Sequence, residues 1–197
     1  MMTEARLFDF SEFPVLMTER LCLRQLTQAD ANNVMVIRGD YQVTRYNIGD
    51  AYTDIMQAEA LIDNITRMFD NESTLYWGIT LKHVDTVIGM IGYNYWNRID
   101  HRGSVGFDLA RDYWGRGIMP EALRGILRFG FDRLGLNRVE ADASVYNTQS
   151  QRTLMKVGFR QEGHLREQYH EADSYHDLLL FALLKRQFME LDDPTFG

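Results

Sequence analysis

Cysteine is nearly absent from this 197-residue chain, where Cys22 stands alone. No internal disulfide can form, which fits a reducing compartment such as the cytoplasm. Cys22 sits in Arg20-Leu21-Cys22-Leu23-Arg24, so it reads as an inert strand thiol rather than a nucleophile. Proline is also scarce, at positions 14, 120 and 194 only. With no Pro/Gly/Ser-rich linker, repeat or low-complexity tract, one domain over 17–190 is expected, between an N-terminal arm (1–16) and a C-terminal tail (191–197). Glu4, Arg6, Asp9 and Glu12 interrupt the first residues, so a signal-peptide apolar core is missing. No apolar run reaches the roughly 18 residues that a membrane span needs. Positive charge is in deficit: 21 Lys and Arg against 28 Asp and Glu, a net charge of −7. That argues against a nucleic-acid partner. It suits a cationic partner such as an amine, and equally it serves solubility. The histidines at 83, 101, 164, 170 and 176 show no zinc-site spacing, so no metal is expected.

Apolar residues make up 45% of the chain, as in ordinary globular proteins. Residues 20–26 alternate and read as a strand. Thr27 caps a helix over 28–37, with Asp30 at its third position. A polar loop (38–52) follows. Thr53 caps a second helix, in which Ile55, Ala58, Leu61, Ile62, Ile65 and Phe69 fall at helical spacing. Strands are expected at 75–81, 86–96 and 104–110, with a turn at 82–85. A helix carries Leu123, Ile126, Leu127, Phe131 and Leu134 and ends at Gly135. A strand at 138–146 leads to a short helix ending near Gly158. Two more strands flank a turn at 171–174. The expected order is β-α-α-β-β-β-α-β-α-β-β, an α/β fold mixing hairpins with helical crossovers. Phe8, Phe10 and Phe13 form an aromatic arm that covers a core edge or a partner subunit.

The most informative stretch is Tyr113-Trp114-Gly115-Arg116-Gly117-Ile118-Met119-Pro120-Glu121-Ala122. Two glycines separate an apolar strand from a helical run. The first N–H groups of a helix have no internal partner and lie at the positive end of its dipole. Glycines let an anion reach them. Arg116 can reach a phosphate, or it is a solvated surface arginine. The third glycine of a dinucleotide fingerprint would fall at Pro120, and no Gly-Lys-Ser/Thr follows, so neither a Rossmann motif nor a P-loop fits. By itself Gly-x-Gly is as well explained by a tight turn.

Trp114-Gly115-Arg116-Gly117 followed by Glu121-Ala122-Leu123, then Asn147-x-x-Ser150, then Lys156-x-Gly158-Phe159 and Gly163, resembles the GNAT N-acetyltransferases. The start Thr18-Glu19-Arg20-Leu21-x-Leu23-Arg24 and the Asp177-Leu178 strand resemble the branch that acetylates ribosomal-protein N-termini. The resemblance covers about 17–188. It implies a mixed, mostly antiparallel twisted sheet with a central splay, flanked by helices. It implies acetyl-CoA as co-substrate, with no metal. The coenzyme would lie against Phe107, Leu109, Trp114, Gly115, Arg116, Gly117, Ile118, Met119, Asn147 and Lys156. The partner would be an amine acceptor, either a protein N-terminus or a small molecule. Resemblance and arm together suggest a homodimer.

The implied reaction is attack of a neutral amine on a thioester, which calls for a base, oxyanion stabilisation and an acid for the thiolate. By resemblance Ser150 is that acid and Asn147 contacts coenzyme or amine. On local sequence Asn147 is simply an N-cap with Ser150 in the first turn. Leu154 stands where many family members place a tyrosine acid. Ser104 stands where close relatives carry a glutamate base. Asp108, Glu140 and Asp142 are strand carboxylates that can take over, or ordered water carries the proton. Tyr93, Tyr95 and Trp96 either line the acceptor cleft or pack the sheet. The missing glutamate and tyrosine leave a second reading open: an acyl-CoA-binding regulatory module without turnover.

Overall fold

Leu21 and Leu23 are fully buried while Cys22 between them is only partly so, as strand alternation against a core requires. The computed structural model describes residues 8–192 apart from 48 and 172. Eight strands form its one sheet: β1 (Leu16–Met17), β2 (Leu21–Gln25), β3 (Tyr76–Leu81), β4 (Val84–Asn97), β5 (Arg102–Leu109), β6 (Arg138–Ser144), β7 (Arg160–Glu171) and β8 (Ser174–Leu184). Their order is β1-β2-β3-β4-β5-β6-β8-β7. All neighbours are antiparallel except β5 and β6. That parallel pairing is short: Arg102 faces Arg138, Gly103 faces Val139, and Ser104 faces Glu140. Beyond it the strands part, and residues 105–109 and 141–144 line a common cleft. This is the α/β fold with a central splay that the resemblance implied.

The helices are α1 (Ala31–Gly39), α2 (Tyr41–Thr44), α3 (Ile55–Asp70), α4 (Ile118–Asp132), α5 (Thr148–Val157) and α6 (Lys185–Asp192). A 3₁₀ turn (Gln28–Asp30) leads into α1, and Thr27 N donates to Asp30 Oδ2 at 2.9 Å. The cap of α3 is Asp54, not Thr53. Asp54 Oδ1 accepts from Met56 N at 2.8 Å, and Gln57 Oε1 accepts from Asp54 N at 3.0 Å. This reciprocal box favours the acidic residue, because a carboxylate also complements the helix dipole. Three elements have no counterpart in the sequence reading. β1 is only two residues long and exists by pairing with β2. α2 is a single turn inside the polar loop, capped by Asp40. α6 buries only Phe188, against Phe131. Its remaining described side chains stay partly or fully exposed, so no apolar period marks it.

α4 covers one face of the sheet, packing with Trp77, Tyr93, Val105 and Val139. α1 and α3 cover the other, against Leu26, Val87 and Met90. On the first face Tyr93 Oη donates to Ile126 O at 2.7 Å. Gly130 makes room for that ring: a Cβ there would run into Tyr93 Oη. The aromatic arm folds onto its own core. Phe8 meets Phe129 edge-on at 5.2 Å, and Phe13 meets Trp77 at 5.7 Å. Phe10 lies 5.3 Å from Phe69. The arm therefore no longer argues for a second subunit. Among the described residues no helix is long and apolar enough to cross a membrane.

Gly130→Ala forces helix and sheet apart. It should lower unfolding free energy by about 1–3 kcal/mol, the usual cost of overpacking, read by urea denaturation.

Candidate active site

After β5 a 3₁₀ turn (Arg111–Tyr113) and the segment 114–117 bring the chain to α4. Gly115 and Gly117 have φ of 72° and 73°, the left-handed region that a side chain resists. Trp114 Nε1 donates to Leu109 O at 2.8 Å and ties the turn to its strand. Pro120 lies in the first turn of α4, where a missing N–H costs nothing. Among the described residues, none of the backbone N–H groups of Gly115, Arg116, Gly117, Ile118 or Met119 makes a close, well-aligned hydrogen bond. Five consecutive donors at a helix start are thus free for an anion.

A latch holds this loop from behind. Glu121, in the first turn of α4, accepts from Thr18 Oγ1 at 2.5 Å, from Arg20 N at 2.7 Å and from Arg20 Nε at 2.6 Å. Arg20 Nη1 also donates to Arg116 O at 3.0 Å. Burial alone would raise the Glu121 carboxyl, but the bonds from Thr18 and Arg20 outweigh it and hold it below the usual range. Sequence reading used Thr18, Arg20 and Glu121 only as marks of resemblance. No local signal joins residues about a hundred positions apart.

The cleft holds about 460 Å³. Phe107, Leu109, Trp114 and Met119 give it an apolar wall on the loop side. Asn147 and Ser150 line it from the start of α5. Asn147 Oδ1 accepts from Ser150 N at 3.1 Å, so Asn147 is both N-cap and cleft residue. Gln151 Nε2 donates to Ser144 O at 2.9 Å and to Val145 O at 3.1 Å, fixing α5 to the end of β6. Ser150 Oγ has no hydrogen-bond partner among the described residues. The Ile118 side chain is buried in the core, leaving its N–H to the loop. Lys156 is exposed in the last turn of α5, off the cleft wall. Leu154 is fully buried, so no acid group replaces it there.

The three strand carboxylates separate clearly. Asp108 accepts from Arg38 Nη1 at 2.7 Å and from Asn47 Nδ2 at 2.8 Å. Glu140 accepts from Tyr95 Oη at 2.6 Å and Arg138 Nε at 2.7 Å, and it lies off the cleft wall. Asp142 lines the cleft and has no side-chain partner among the described residues. Ser104 is buried in the sheet, also off the wall. Tyr93, Tyr95 and Trp96 do not reach the cleft. Tyr93 packs under α4, Tyr95 bonds Glu140, and Trp96 stacks on Phe10. Instead Tyr46, Tyr76, Tyr146 and Tyr169 line it, which no periodicity in the sequence signals. Among the described residues no group of His, Cys, Asp and Glu can hold a metal ion.

The model of the acetyltransferase (GNAT) domain matches residues 20–160. The chain belongs to the GNAT acetyltransferase family. An uncharacterized N-acetyltransferase of Bacillus licheniformis, p20, is 35% identical over 173 residues, covering 88% of this chain and 97% of that protein. The ribosomal-protein-serine acetyltransferase of Escherichia coli K12 is 29% identical over 98 residues, covering 50% of this chain and 55% of that protein. Among solved structures, RimL, a ribosomal L7/L12 α-N-protein acetyltransferase in complex with coenzyme A, superposes with a TM-score of 0.79. It covers 87% of this chain and 98% of its own at 16% identity, a likeness of fold. The match spans the splay, the glycine loop and α5, while Tyr169 on β7 and Leu178 on β8 complete the cleft from beyond it.

Glu121→Ala removes the latch. It should lower unfolding free energy by about 1–3 kcal/mol, as charge-assisted hydrogen bonds to backbone and side chain are lost. Amide exchange in the first hydrogen-bonded turn of α4, from residue 121 onward, should speed up selectively.

Proposed function

We propose that this protein transfers an acetyl group from acetyl-CoA to a primary amine, on a protein N-terminus or a small molecule, by direct attack on the thioester. One observation carries the reading: the five N–H groups of 115–119 at the start of α4 follow Trp114 and end at Met119, two residues that line the cleft where β5 and β6 part. That donor set fits a pyrophosphate, which needs several converging donors and a positive helix end. Family membership, the p20 relative named as an N-acetyltransferase and the coenzyme A in the RimL complex support it. The solitary, half-buried Cys22 supports a cytoplasmic setting.

In this reading residues 114–119 hold the pyrophosphate. Phe107, Leu109 and Met119 shield the thioester from water. Ser150, with its hydroxyl free, gives a proton to the departing sulfur. Asn147 fixes the turn that aims Ser150 and contacts coenzyme or amine. Lys156 and Arg116, both exposed, can meet the outer phosphates. Much of the rate comes from holding two reactants together.

Coenzyme A at 100 times its Kd should stabilise the native protein by about 2.7 kcal/mol, seen as a higher melting temperature. Gly117→Val, at φ 73°, should abolish that shift. No shift in the native protein at millimolar coenzyme would refute the assignment. Thiol release should follow addition of acetyl-CoA and an accepted amine or peptide; binding without release across a broad panel would favour a regulatory module. Ser150→Ala should cut turnover about 10²-fold with coenzyme affinity kept, and unchanged turnover removes Ser150 from the chemistry.

A further inference from the structure

We infer that Asp142, on β6, is the general base of the transfer, in place of the glutamate missing from β5. This rests on the acetyl-transfer reading above and adds a catalytic residue to it. The argument is one of position. Alternation along β6 sends Val139, Ala141 and Ala143 into the core under α4, and Glu140 and Asp142 to the opposite face. Glu140 faces Ser104 in the last pair that joins β6 to β5. Asp142 is the next residue on that face, so it stands where the strands have just parted. Ser104, at the position where a glutamate was expected, lies one step below on the neighbouring strand. The carboxylate has in effect moved across the seam.

The other acids near the seam are already engaged. Asp108, on the far lip, is neutralised by Arg38 and bonded by Asn47. Glu140 is held by Arg138, with Arg102 at 3.7 Å and Tyr95 bonded to it. The other titratable groups on the cleft wall are Arg38, paired with Asp108, Arg45, Tyr46, Tyr76, Tyr146 just past the end of β6, and Tyr169 on β7. Arg45 lies against Tyr46, 4.7 Å from its ring centre. Tyr169 stacks on His176 at 4.9 Å. Of the two cleft carboxylates, only Asp142 is without a side-chain partner among the described residues. Asp142 is exposed at the cleft wall, yet the protein atoms around it raise its carboxyl above the ordinary value, against a smaller opposing pull from its own backbone N–H. A more basic carboxylate is a better proton acceptor.

The step balances as follows. The free-base amine nitrogen forms a bond to the acetyl carbon and sheds a proton to the Asp142 carboxylate. The carbon–sulfur bond breaks, and sulfur takes a proton from Ser150 Oγ, which is restored from water. Asp142 returns its proton to solvent. The net products are an N-acetyl amine and a free thiol.

The test uses the full chain with acetyl-CoA and whichever amine or peptide the native protein turns over. Asp142→Asn should lower kcat about 10²-fold at neutral pH, with the KM for acetyl-CoA and the coenzyme-induced melting shift unchanged. In the native protein log kcat should fall as pH drops through the Asp142 pKa, above the ordinary carboxylate value of about 3.9. That acid limb should vanish in Asp142→Asn. Asp142→Glu should restore part of kcat and the limb with it. An Asp142→Asn protein with native kcat and the limb intact overturns the inference. So does a variant that raises only the KM of the amine, which would make Asp142 a binding group. If the native protein gives no melting shift with coenzyme and no thiol release, the transfer reading fails first and the base falls with it.

Discussion

Everything in this molecule turns on the early parting of two parallel strands. β5 and β6 share three residue pairs and then diverge. A buried backbone group must find a partner, so a gap in a sheet is tolerated only where something else fills it. Here each strand keeps its outer neighbour, β4 for β5 and β8 for β6, and the inner edges face a cleft. The gap therefore exposes polar backbone to a ligand without dissolving the sheet. It also lets one cleft draw residues from both faces: apolar ones from the α4 side, polar ones from the α1 side.

The glycine loop needs a rigid support, because two left-handed residues in succession around Arg116 would otherwise sample many conformations. Glu121 and Arg20 give that support from the side away from the cleft. They link the first turn of α4 and the loop to the residue before β2. A set of donors fixed in advance loses little freedom when an anion arrives. The separate Arg38–Asp108–Asn47 cluster does the same for the opposite wall, where it ties α1 and the turn after α2 to β5.

Local chemistry made much of this legible. Gly115 and Gly117 marked a turn before a helix, Asn147 marked a cap, and two helices, α3 and α4, followed apolar period. Family resemblance supplied the splay. What stayed hidden depends on distance or on pairing. Two residues of β1 make a strand only because β2 lies beside them. Thr53 and Asp54 are both good caps, and only the reach to Met56 N separates them. Tyr93 and Trp96 look like cleft aromatics until the sheet sends them inward. Asp108, Glu140 and Asp142 are alike as letters; their neighbours, brought from α1, β4 and the cleft, make one a structural anchor, one a strand clasp and one a free acid.

The sheet's two borders have a consequence for association. At one end β1 offers only Leu16 and Met17. At the other, β7 reads Arg-Gln-Glu-Gly-His-Leu-Arg-Glu-Gln-Tyr-His-Glu, with shifts of register after Gln161 and Leu165 and a left-handed Glu167 held by Asp177. A strip that is this charged and this kinked is a poor template for another strand. Eight strands thus end in borders that resist extension. Pairing of β7 with a strand of a second copy is therefore disfavoured.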